Sequence, residues 1–333
     1  MKPKTKITAT ASCLPETIVT NDDLAKLMDT SDEWIRERTG IRQRRFAKKG
    51  VETTAALATS AARQALAQAG WKAESLDLII ASTLSPDYYF PGIGVLVQKD
   101  LACKEIPALD IRAQCSGFVY GVACADSFIK SGMARKILLV CSEVQSLALD
   151  LTTRGREMAV LFGDGAGAIL LENEAEGDSE VIDSVLGSDG RGAESLMMRL
   201  PGTANAGFIT EEDISSGKTH PSMDGKTVFK NAVSRLIESI GLLLARNNLS
   251  ANQIALLLPH QANLRINEMV REHFKLPPEK VANNIDKYGN TTSATIPILL
   301  DEALKDGKIR RGDLIITAAF GSGFTWGCNL IKY

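Results

Sequence analysis

The stretch that decides the fold occurs twice, first as Asp126-Ser127-Phe128-Ile129-Lys130-Ser131-Gly132 and again as Asp301-Glu302-Ala303-Leu304-Lys305-Asp306-Gly307. From Gly132 to Gly307 the offset is 175 residues, and a basic pair and a four-residue apolar run follow each copy. Taken singly, such a match could be chance similarity between amphipathic helices. The order of the elements is the same in both places, and this favours two duplicated, domain-sized halves.

Continuous apolar runs alternate with helix-like segments along the whole chain. The runs cover residues 78–81, 137–140, 168–171, 255–258 and 314–317. Runs of this kind are typical of strands buried on both faces of a helix-covered sheet. Helices are predicted over 53–69, with Gly70 as the stop, and over 228–247. We therefore predict an α/β fold with two halves, residues 1–172 and 173–333.

Composition argues against several classes of partner. The 333 residues are 44% hydrophobic and 23% charged, as in a globular protein with a sizeable core. A net charge of -2 lacks the basic excess of a nucleic-acid-binding protein. No apolar run reaches the roughly 18 residues that span a bilayer, and the N-terminal stretch is too weakly apolar for a signal peptide. We expect a cytoplasmic protein that binds neither nucleic acid nor membrane.

The 6 cysteines have no CxxC spacing, which argues against zinc and against a disulfide framework. One of them stands out. Cys115 lies in Gln114-Cys115-Ser116-Gly117-Phe118, between an apolar segment and a helix-like run that ends near Gly132. The N-terminus of a helix favours negative charge, so we expect a lowered thiol pKa and a nucleophile. A buried structural cysteine is the alternative.

Two further polar residues complete a candidate catalytic set. His260 directly follows the apolar run 255–258, and Asn290 is the residue that aligns with Cys115 at the offset of 175. Polar groups after buried strands are often catalytic, because strand ends are rigid and their loops are accessible. A hydrogen-bonded histidine at a strand end and a helix-capping asparagine are the alternatives. If the duplication holds, Cys115 and Asn290 open equivalent helices and could face one cleft.

Six motifs in order make the chain recognisable. They are Asp-Glu-Trp-Ile-x-x-Arg-Thr-Gly-Ile (32–41), Cys-Ser-Gly-Phe (115–118), Phe-Gly-Asp-Gly-Ala-Gly-Ala (162–168), Pro-His-Gln-Ala-Asn-x-Arg-Ile (259–266), Tyr-Gly-Asn-Thr (288–291) and Gly-x-Gly-Phe-Thr-Trp-Gly (321–327). Together they span nearly the whole chain. They resemble the β-ketoacyl-[acyl carrier protein] synthase III family of condensing enzymes.

The resemblance implies a thiolase-like fold with α-β-α-β-α layers, normally as a homodimer. It also implies condensation of a short acyl-coenzyme A with malonyl-acyl carrier protein, releasing coenzyme A and carbon dioxide. Cys115 would carry the acyl group, and His260 and Asn290 would donate hydrogen bonds to the enolate oxygen. The backbone N–H groups of Cys115 and Ser322 would form a second oxyanion hole. No metal or redox cofactor is implied.

Binding residues follow from the same resemblance. Trp34 and Arg154 would hold the adenine of coenzyme A between them. The other contacts implied for coenzyme A are Arg38, Gly225, Phe229 and Asn263. Phe90 would limit the acyl pocket, which suggests short primers. Lys230 and Arg265 would meet the acidic carrier protein.

The chain departs from the family at three places. Gln114 stands where alanine is usual, Glu272 and His273 replace common basic residues, and the stretch 199–223 is long. Two other functions are therefore kept open. One is a secondary-metabolism relative that passes the acyl group from the same cysteine to a different acceptor. The other is a non-catalytic partner subunit, which the Cys115, His260 and Asn290 set argues against.

Overall fold

The computed structural model describes residues 3–174, 177, 179–204 and 208–333, so residues 205–207 of the long stretch 199–223 lie outside it. In these residues the strands are β1 (Lys4–Cys13), β2 (Thr17–Thr20), β3 (Gln43–Phe46), β4 (Leu78–Ser82), β5 (Ala108–Ile111), β6 (Lys136–Glu143), β7 (Gly165–Glu174), β8 (Glu180–Ser188), β9 (Leu196–Met198), β10 (Pro221–Met223), β11 (Leu256–Pro259), β12 (Leu314–Gly321) and β13 (Thr325–Lys332). The helices are α1 (Asn21–Ala25), α2 (Asp32–Thr39), α3 (Thr54–Ala69), α4 (Ile93–Asp100), α5 (Gly117–Lys130), α6 (Arg156–Ala159), α7 (Glu211–Ser215), α8 (Gly225–Arg246), α9 (Leu264–His273), α10 (Ile285–Tyr288) and α11 (Thr295–Lys305).

Two mixed sheets with matching topology form the centre of the molecule. The first has the order β1-β7-β6-β4-β5 and the second has the order β11-β12-β13-β8. In the first, β4 is parallel to β6, while β7 is antiparallel to both β6 and β1. In the second, β11 is parallel to β12, while β13 is antiparallel to both β12 and β8. The predicted α/β class is confirmed, and each predicted apolar run coincides with a strand, although β11 begins at Leu256, one residue after the start of its run.

The position of the boundary between the halves stays a prediction. Strand β7 continues to Glu174, so a boundary drawn after this strand would fall at least two residues beyond residue 172. The second sheet takes its first strand, β8, from Glu180 onward.

The two halves correspond at an offset different from the one that the repeated stretch suggests. Leu78 pairs with Ile137 in the first sheet, and Leu256 pairs with Ile315 in the second, which sets the offset at 178 residues. The left-handed residues Gln114 (φ 46°) and Thr292 (φ 51°) have the same offset, and each opens a 3₁₀ turn.

Ser293 is therefore the counterpart of Cys115, and the predicted equivalence of Cys115 with Asn290 is wrong by three residues. The cause is helix length: α5 has 14 residues and α11 has 11. The sequence match aligned Gly132 with Gly307, which follow the C-terminal ends of these two helices.

Five layers stack as the predicted α-β-α-β-α arrangement requires, so that prediction is confirmed. Helices α3 and α4 cover the outer face of the first sheet, and α8 and α9 cover the outer face of the second. Helices α5 and α11 lie between the sheets, where Phe118, Ile296 and their neighbours are completely buried. The central layer thus brings the start of α5 and the start of α11 together between the two sheets.

Local sequence signals account for the ends of the predicted helices. Thr53 accepts a hydrogen bond from Ala56 N and begins α3, and Gly70 ends it in the left-handed conformation at φ 65°. Helix α8 begins at Gly225, three residues before the predicted start, because the Asp224 side chain accepts from Thr227 N at 3.1 Å. Among the described residues, none of these helices has the length and apolarity needed to cross a bilayer.

The buried Asp301 carboxylate joins the two halves. It accepts hydrogen bonds from Thr10 Oγ1 at 2.9 Å and Ser12 Oγ at 2.6 Å on β1, and Lys305 Nζ lies 2.7 Å away on its own helix. A buried carboxylate with three donors stabilises the fold only while those donors remain in place.

We predict that Asp301→Asn lowers the free energy of unfolding by about 2 kcal/mol, because an amide cannot accept from all three donors. Urea denaturation followed by circular dichroism measures the change. Asp306→Asn on the same chain segment is the matched control, since Asp306 is exposed and its contact with Lys308 at 3.1 Å is a surface ion pair. A change of less than about 0.5 kcal/mol is expected there. Equal effects of the two substitutions would contradict the assigned role.

Candidate active site

A cavity with an empty volume of about 740 Å³, partly open to solvent, lies where the two halves meet. The three residues of the predicted catalytic set, Cys115, His260 and Asn290, all line it. Most of the other lining residues are apolar: Leu161, Phe162, Leu196, Met223, Val228, Phe229, Ala232, Leu236, Ala262, Ile266 and Phe320. The cavity thus combines three polar groups with an apolar wall, the usual character of a ligand site.

Cys115 lies in the 3₁₀ turn Gln114–Ser116 at the start of α5, and only 7% of it is exposed. The end of β12 packs against this turn. A Cβ atom on Gly321 would lie 3.0 Å from the Cys115 backbone nitrogen, so any other residue would require the turn to shift. The next residue, Ser322, donates its hydroxyl to Leu196 O. The two segments that carry the predicted oxyanion-hole amides are therefore in contact.

The predicted lowering of the Cys115 pKa is wrong for the free chain. Burial raises the pKa of the Cys115 thiol to about 12, and the Glu143 carboxylate adds to the increase. The free-energy cost of removing water from a thiolate exceeds the stabilisation that the helix N-terminus gives to its negative charge. In the free chain Cys115 is therefore a neutral thiol at pH 7.

His260 follows β11, whose last residue pairs with Ala318 of β12. Its backbone N–H donates to Ala318 O at 2.8 Å, and 5% of the residue is exposed. Ring atom Nδ1 lies 2.7 Å from Thr295 Oγ1, whereas Nε2 has no partner among the residues that the structure describes. Burial lowers the pKa of His260 to about 3, so the ring is neutral at pH 7.

Asn290 is fixed on both its backbone and its side chain. Its N–H donates to Leu161 O at 2.8 Å, and its carbonyl accepts from Gly163 N at 3.1 Å. Its side-chain Oδ1 accepts from Thr292 N at 2.8 Å. Because the oxygen of the amide is engaged in the loop, its NH₂ group is the part available to a ligand in the cavity.

Three of the predicted coenzyme A contacts, Gly225, Phe229 and Asn263, also line the cavity. Asn263 donates to Arg38 O at 2.9 Å, which ties this wall to α2. The exposed Arg265 guanidinium lies 5.5 Å from the Phe229 ring, and Lys230 is exposed next to Phe229. The predicted docking residues therefore lie beside the cavity wall.

That Trp34 and Arg154 hold the adenine of coenzyme A between them stays a prediction. The guanidinium groups over the Trp34 ring belong to Arg38 at 4.5 Å and Arg156 at 4.7 Å. Arg154 Nε instead donates to the Asp150 carboxylate at 2.6 Å, and its Nη1 donates to Ser215 O at 2.6 Å. The Asp150 carboxylate and the last residue of α7 thus fix the Arg154 side chain, which lines a second cavity that shares Met223 with the first.

Phe90 is not brought to the cavity of its own chain. It is 80% exposed, and it lies in the loop that leads into α4, beside the edge strand β5. The first turn of α4 contacts the strand through Gly94 N, which donates to the Asp110 carboxylate at 3.1 Å. Gln114, the unusual neighbour of Cys115, is half-buried and does not line the cavity either.

Two residues near the cavity could not be identified from the sequence. Glu143 is completely buried and accepts from Ser293 Oγ at 2.6 Å, from Ser85 Oγ at 2.8 Å and from three further donors of the loops around it. Burial raises the pKa of this carboxyl group, which these hydrogen bonds oppose. Thr295 contacts the ring of His260. Neither residue belongs to a motif quoted for the family, and only the folded chain brings them to the site.

A metal site was not expected from the sequence. Within the described ranges, no group of three His, Cys, Asp or Glu side chains is placed to hold a metal ion. The chemistry available at this site is that of a thiol, an imidazole, an amide and backbone N–H groups around one apolar cavity.

Comparisons with known proteins agree with this geometry. Residues 109–190 match the family described as 3-Oxoacyl-[acyl-carrier-protein (ACP)] synthase III, and residues 244–333 match its C-terminal counterpart. The chain is 44% identical over 329 residues to the beta-ketoacyl-[acyl-carrier-protein] synthase III of Aquifex aeolicus, with 99% of both chains covered. The enzyme of the same name from Caldanaerobacter subterraneus is 42% identical over 327 residues, covering 98% of this chain and 97% of that one. A crystal structure of the Aquifex aeolicus protein superposes with a TM-score of 0.91 at 42% identity, covering 99% of this chain and 100% of the other.

Proposed function

The chain belongs to the β-ketoacyl-[acyl-carrier-protein] synthase III family, and on this premise we propose that it condenses an acyl-coenzyme A primer with malonyl-acyl carrier protein. It is an acyltransferase-type condensing enzyme. The observation that carries the assignment of roles is the convergence of Cys115, His260 and Asn290 on one apolar cavity. The products are a β-ketoacyl-carrier protein, coenzyme A and carbon dioxide.

In the first half-reaction Cys115 attacks the thioester carbonyl of the primer. The sulfur–carbon bond to coenzyme A breaks, the acyl group passes to Cys115, and the thiol proton leaves with coenzyme A. One thioester replaces another, so the exchange has little thermodynamic cost. The backbone N–H groups of Cys115 and Ser322 are the proposed donors to the oxyanion of this step.

In the second half-reaction the malonyl group loses carbon dioxide and leaves an enolate. The proposed donors to the enolate oxygen are His260 Nε2 and the Asn290 NH₂ group. These roles are supported by the lack of a partner for Nε2 among the described residues and by the engaged Oδ1 of Asn290. The enolate carbon then attacks the acyl carbonyl on Cys115, the carbon–sulfur bond to Cys115 breaks, and the released thiolate takes a proton from solvent to regenerate the thiol. Both half-reactions balance without electron transfer, so no redox cofactor is assigned to them.

Coenzyme A and the carrier protein are proposed to approach by the wall that holds Gly225, Phe229 and Asn263. The charges of Lys230 and Arg265 beside this wall suit an acidic carrier protein. The positive charge of this surface is reduced nearby, because the Glu272 carboxylate lies 3.5 Å from the Arg271 guanidinium. A cytoplasmic location is supported by the cysteines, which are free thiols throughout the described ranges.

We also propose a homodimer. Strand β5 is an open edge of the first sheet, and exposed apolar side chains surround it: Tyr88, Tyr89, Phe90, Val95 and Leu109. An open edge beside exposed aromatic residues is a surface that a second chain can cover. If Phe90 limits an acyl pocket, its exposure requires that the pocket belongs to the second subunit.

Intact-mass spectrometry with a panel of acyl-coenzyme A primers tests the proposed function. We expect one acyl group per chain, followed by release of carbon dioxide when malonyl-acyl carrier protein is added. The alternative, transfer to a different acceptor, is less favoured because relatives at 42–44% identity are named for the condensation. Acyl transfer to an acceptor without malonyl-dependent carbon dioxide would support that alternative and exclude the condensation.

Trp34 provides a test of coenzyme A binding. We predict that Trp34→Ala raises the KM for acyl-coenzyme A about tenfold, because stacking of a base on an aromatic ring is lost. The KM for the matching acyl-pantetheine, which lacks the adenine, serves as the control and should stay unchanged. Steady-state kinetics with both substrates measures the difference. A parallel rise in both values would show that Trp34 supports the fold rather than the nucleotide.

A further inference from the structure

The ring of His260 has one hydrogen-bond partner in the described part of the chain, and that partner is a hydroxyl group. Thr295 Oγ1 lies 2.7 Å from Nδ1, and both residues are buried. A neutral imidazole carries its proton on only one of its two nitrogens. Whatever fixes the proton on Nδ1 or on Nε2 therefore decides whether the ring donates or accepts in the cavity.

The Thr295 hydroxyl has a single proton and two acceptors within reach. One is His260 Nδ1, and the other is Thr292 O at 3.0 Å. The second distance is at the long end of the range for O–H···O hydrogen bonds. In addition, Thr292 O already accepts the backbone N–H of Thr295, so it is satisfied without the hydroxyl. The Thr295 hydroxyl is therefore better placed to donate its hydrogen bond to His260 Nδ1 than to Thr292 O.

This hydrogen bond has a direct consequence for the other nitrogen of the ring. If Nδ1 accepts from Thr295, the proton of the neutral ring is on Nε2. Nε2 is the atom without a partner, in a residue that lines the cavity. In the opposite arrangement Nδ1–H would donate to Thr295, and Nε2 would present a lone pair that cannot donate to an oxyanion.

We propose that Thr295 is a positioning residue that holds His260 in the Nε2–H form and so makes the ring a hydrogen-bond donor toward the cavity. The effect of this on decarboxylation rests on the proposed function, whereas the form of the ring does not. The low pKa of His260 that follows from burial agrees with a ring that stays neutral and acts through its protonation site. Thr295 itself need not touch the substrate.

The form of the ring can be observed directly. In the ¹⁵N NMR spectrum of ¹⁵N-histidine-labelled protein, the protonated and unprotonated nitrogens of a neutral ring have well-separated resonances. The chain has 3 histidines, and His260→Ala identifies the His260 signals by their loss. We expect the wild-type protein at pH 7 to show a proton on Nε2 and none on Nδ1. A proton on Nδ1 would overturn the proposal.

Three variants connect this form to the reaction. Thr295→Val keeps the shape but removes the hydroxyl, and we expect a mixture of the two forms with about tenfold slower malonyl decarboxylation. Thr295→Ser keeps the hydroxyl and should restore both the spectrum and the rate. Thr59→Val is the matched control, because Thr59 is a buried helical threonine whose hydroxyl has no partner in the described chain.

The outcomes separate this proposal from the proposed function. A proton on Nε2 in a protein that never decarboxylates malonyl-carrier protein would overturn the function and leave the role of Thr295 standing. A wild-type rate and spectrum in Thr295→Val would overturn the role of Thr295 and leave the function standing. Acylation of Cys115 is expected to continue in all three variants.

Discussion

Replacing Cys115 with serine removes acyl transfer almost completely, by a factor on the order of 10⁶, as expected when the nucleophile of a covalent mechanism is lost. The reason is chemical rather than structural. A serine hydroxyl fits the space of the thiol, but at pH 7 it is a much weaker nucleophile, and in a cavity this apolar its ionisation is further disfavoured. Intact-mass spectrometry after incubation with acyl-coenzyme A should show an acyl group on the wild-type chain and none on Cys115→Ser.

Cys124→Ala is the matched control for this result. Cys124 lies on the same helix, α5, as a half-buried free thiol outside the cavity lining. We expect that variant to be acylated as fully as the wild-type chain. An acyl group on Cys115→Ser, or its loss in Cys124→Ala at unchanged thermal stability, would contradict the assignment of Cys115 as the nucleophile.

Removal of either proposed enolate donor should separate the two half-reactions. In His260→Ala and in Asn290→Ala, we expect malonyl decarboxylation to slow by about 10² to 10³, the usual effect of deleting one oxyanion donor. Acylation of Cys115 should continue within a few-fold of the wild-type rate, because the proposed donors for that step are backbone N–H groups. Single-turnover mass spectrometry measures acylation, and release of labelled carbon dioxide measures decarboxylation.

His273→Ala is the control for these variants, since His273 is exposed at the end of α9, outside the cavity lining. It should leave both rates unchanged. An equal loss of acylation and decarboxylation in His260→Ala would show that His260 also serves the first half-reaction, for example as a base toward the Cys115 thiol. The same result in Asn290→Ala would instead indicate that the loop, rather than its amide, had been disturbed.

The sequence predicted the elements of this fold well, because each depends on local signals. Thr53 and Gly70 mark the ends of α3, and unbroken apolar runs mark strands that are buried on both faces. The residue-by-residue correspondence between the two halves was harder to predict from the sequence. The repeated stretch aligned the C-terminal ends of α5 and α11, whereas strand register and the left-handed residues Gln114 and Thr292 align their starts.

The sequence predicted which residues form the site, but not the burial and the neighbouring side chains of those residues. Cys115, His260 and Asn290 do line one cavity. The pKa of the Cys115 thiol is raised rather than lowered, because its burial and its distance from Glu143 are set only in the folded chain. Arg154 is expected to hold the adenine of coenzyme A together with Trp34, and the folded chain adds an ion pair between Arg154 and Asp150, four residues earlier. Such a pair depends on side-chain positions that no motif records.

The offset of 178 residues gives the duplication a chemical meaning. It sets Cys115 opposite Ser293, and it sets His260 and Thr295 opposite Ser82 and Gly117. In the first half a Cβ on Gly117 would lie only 1.9 Å from Ser82 Oγ, so that half has no room for a ring and a hydroxyl like those of the second. In the proposed mechanism the first half thus supplies the sulfur nucleophile, and the second half supplies the hydrogen-bond donors to the enolate oxygen. The proposed reaction therefore needs chemical groups from both halves.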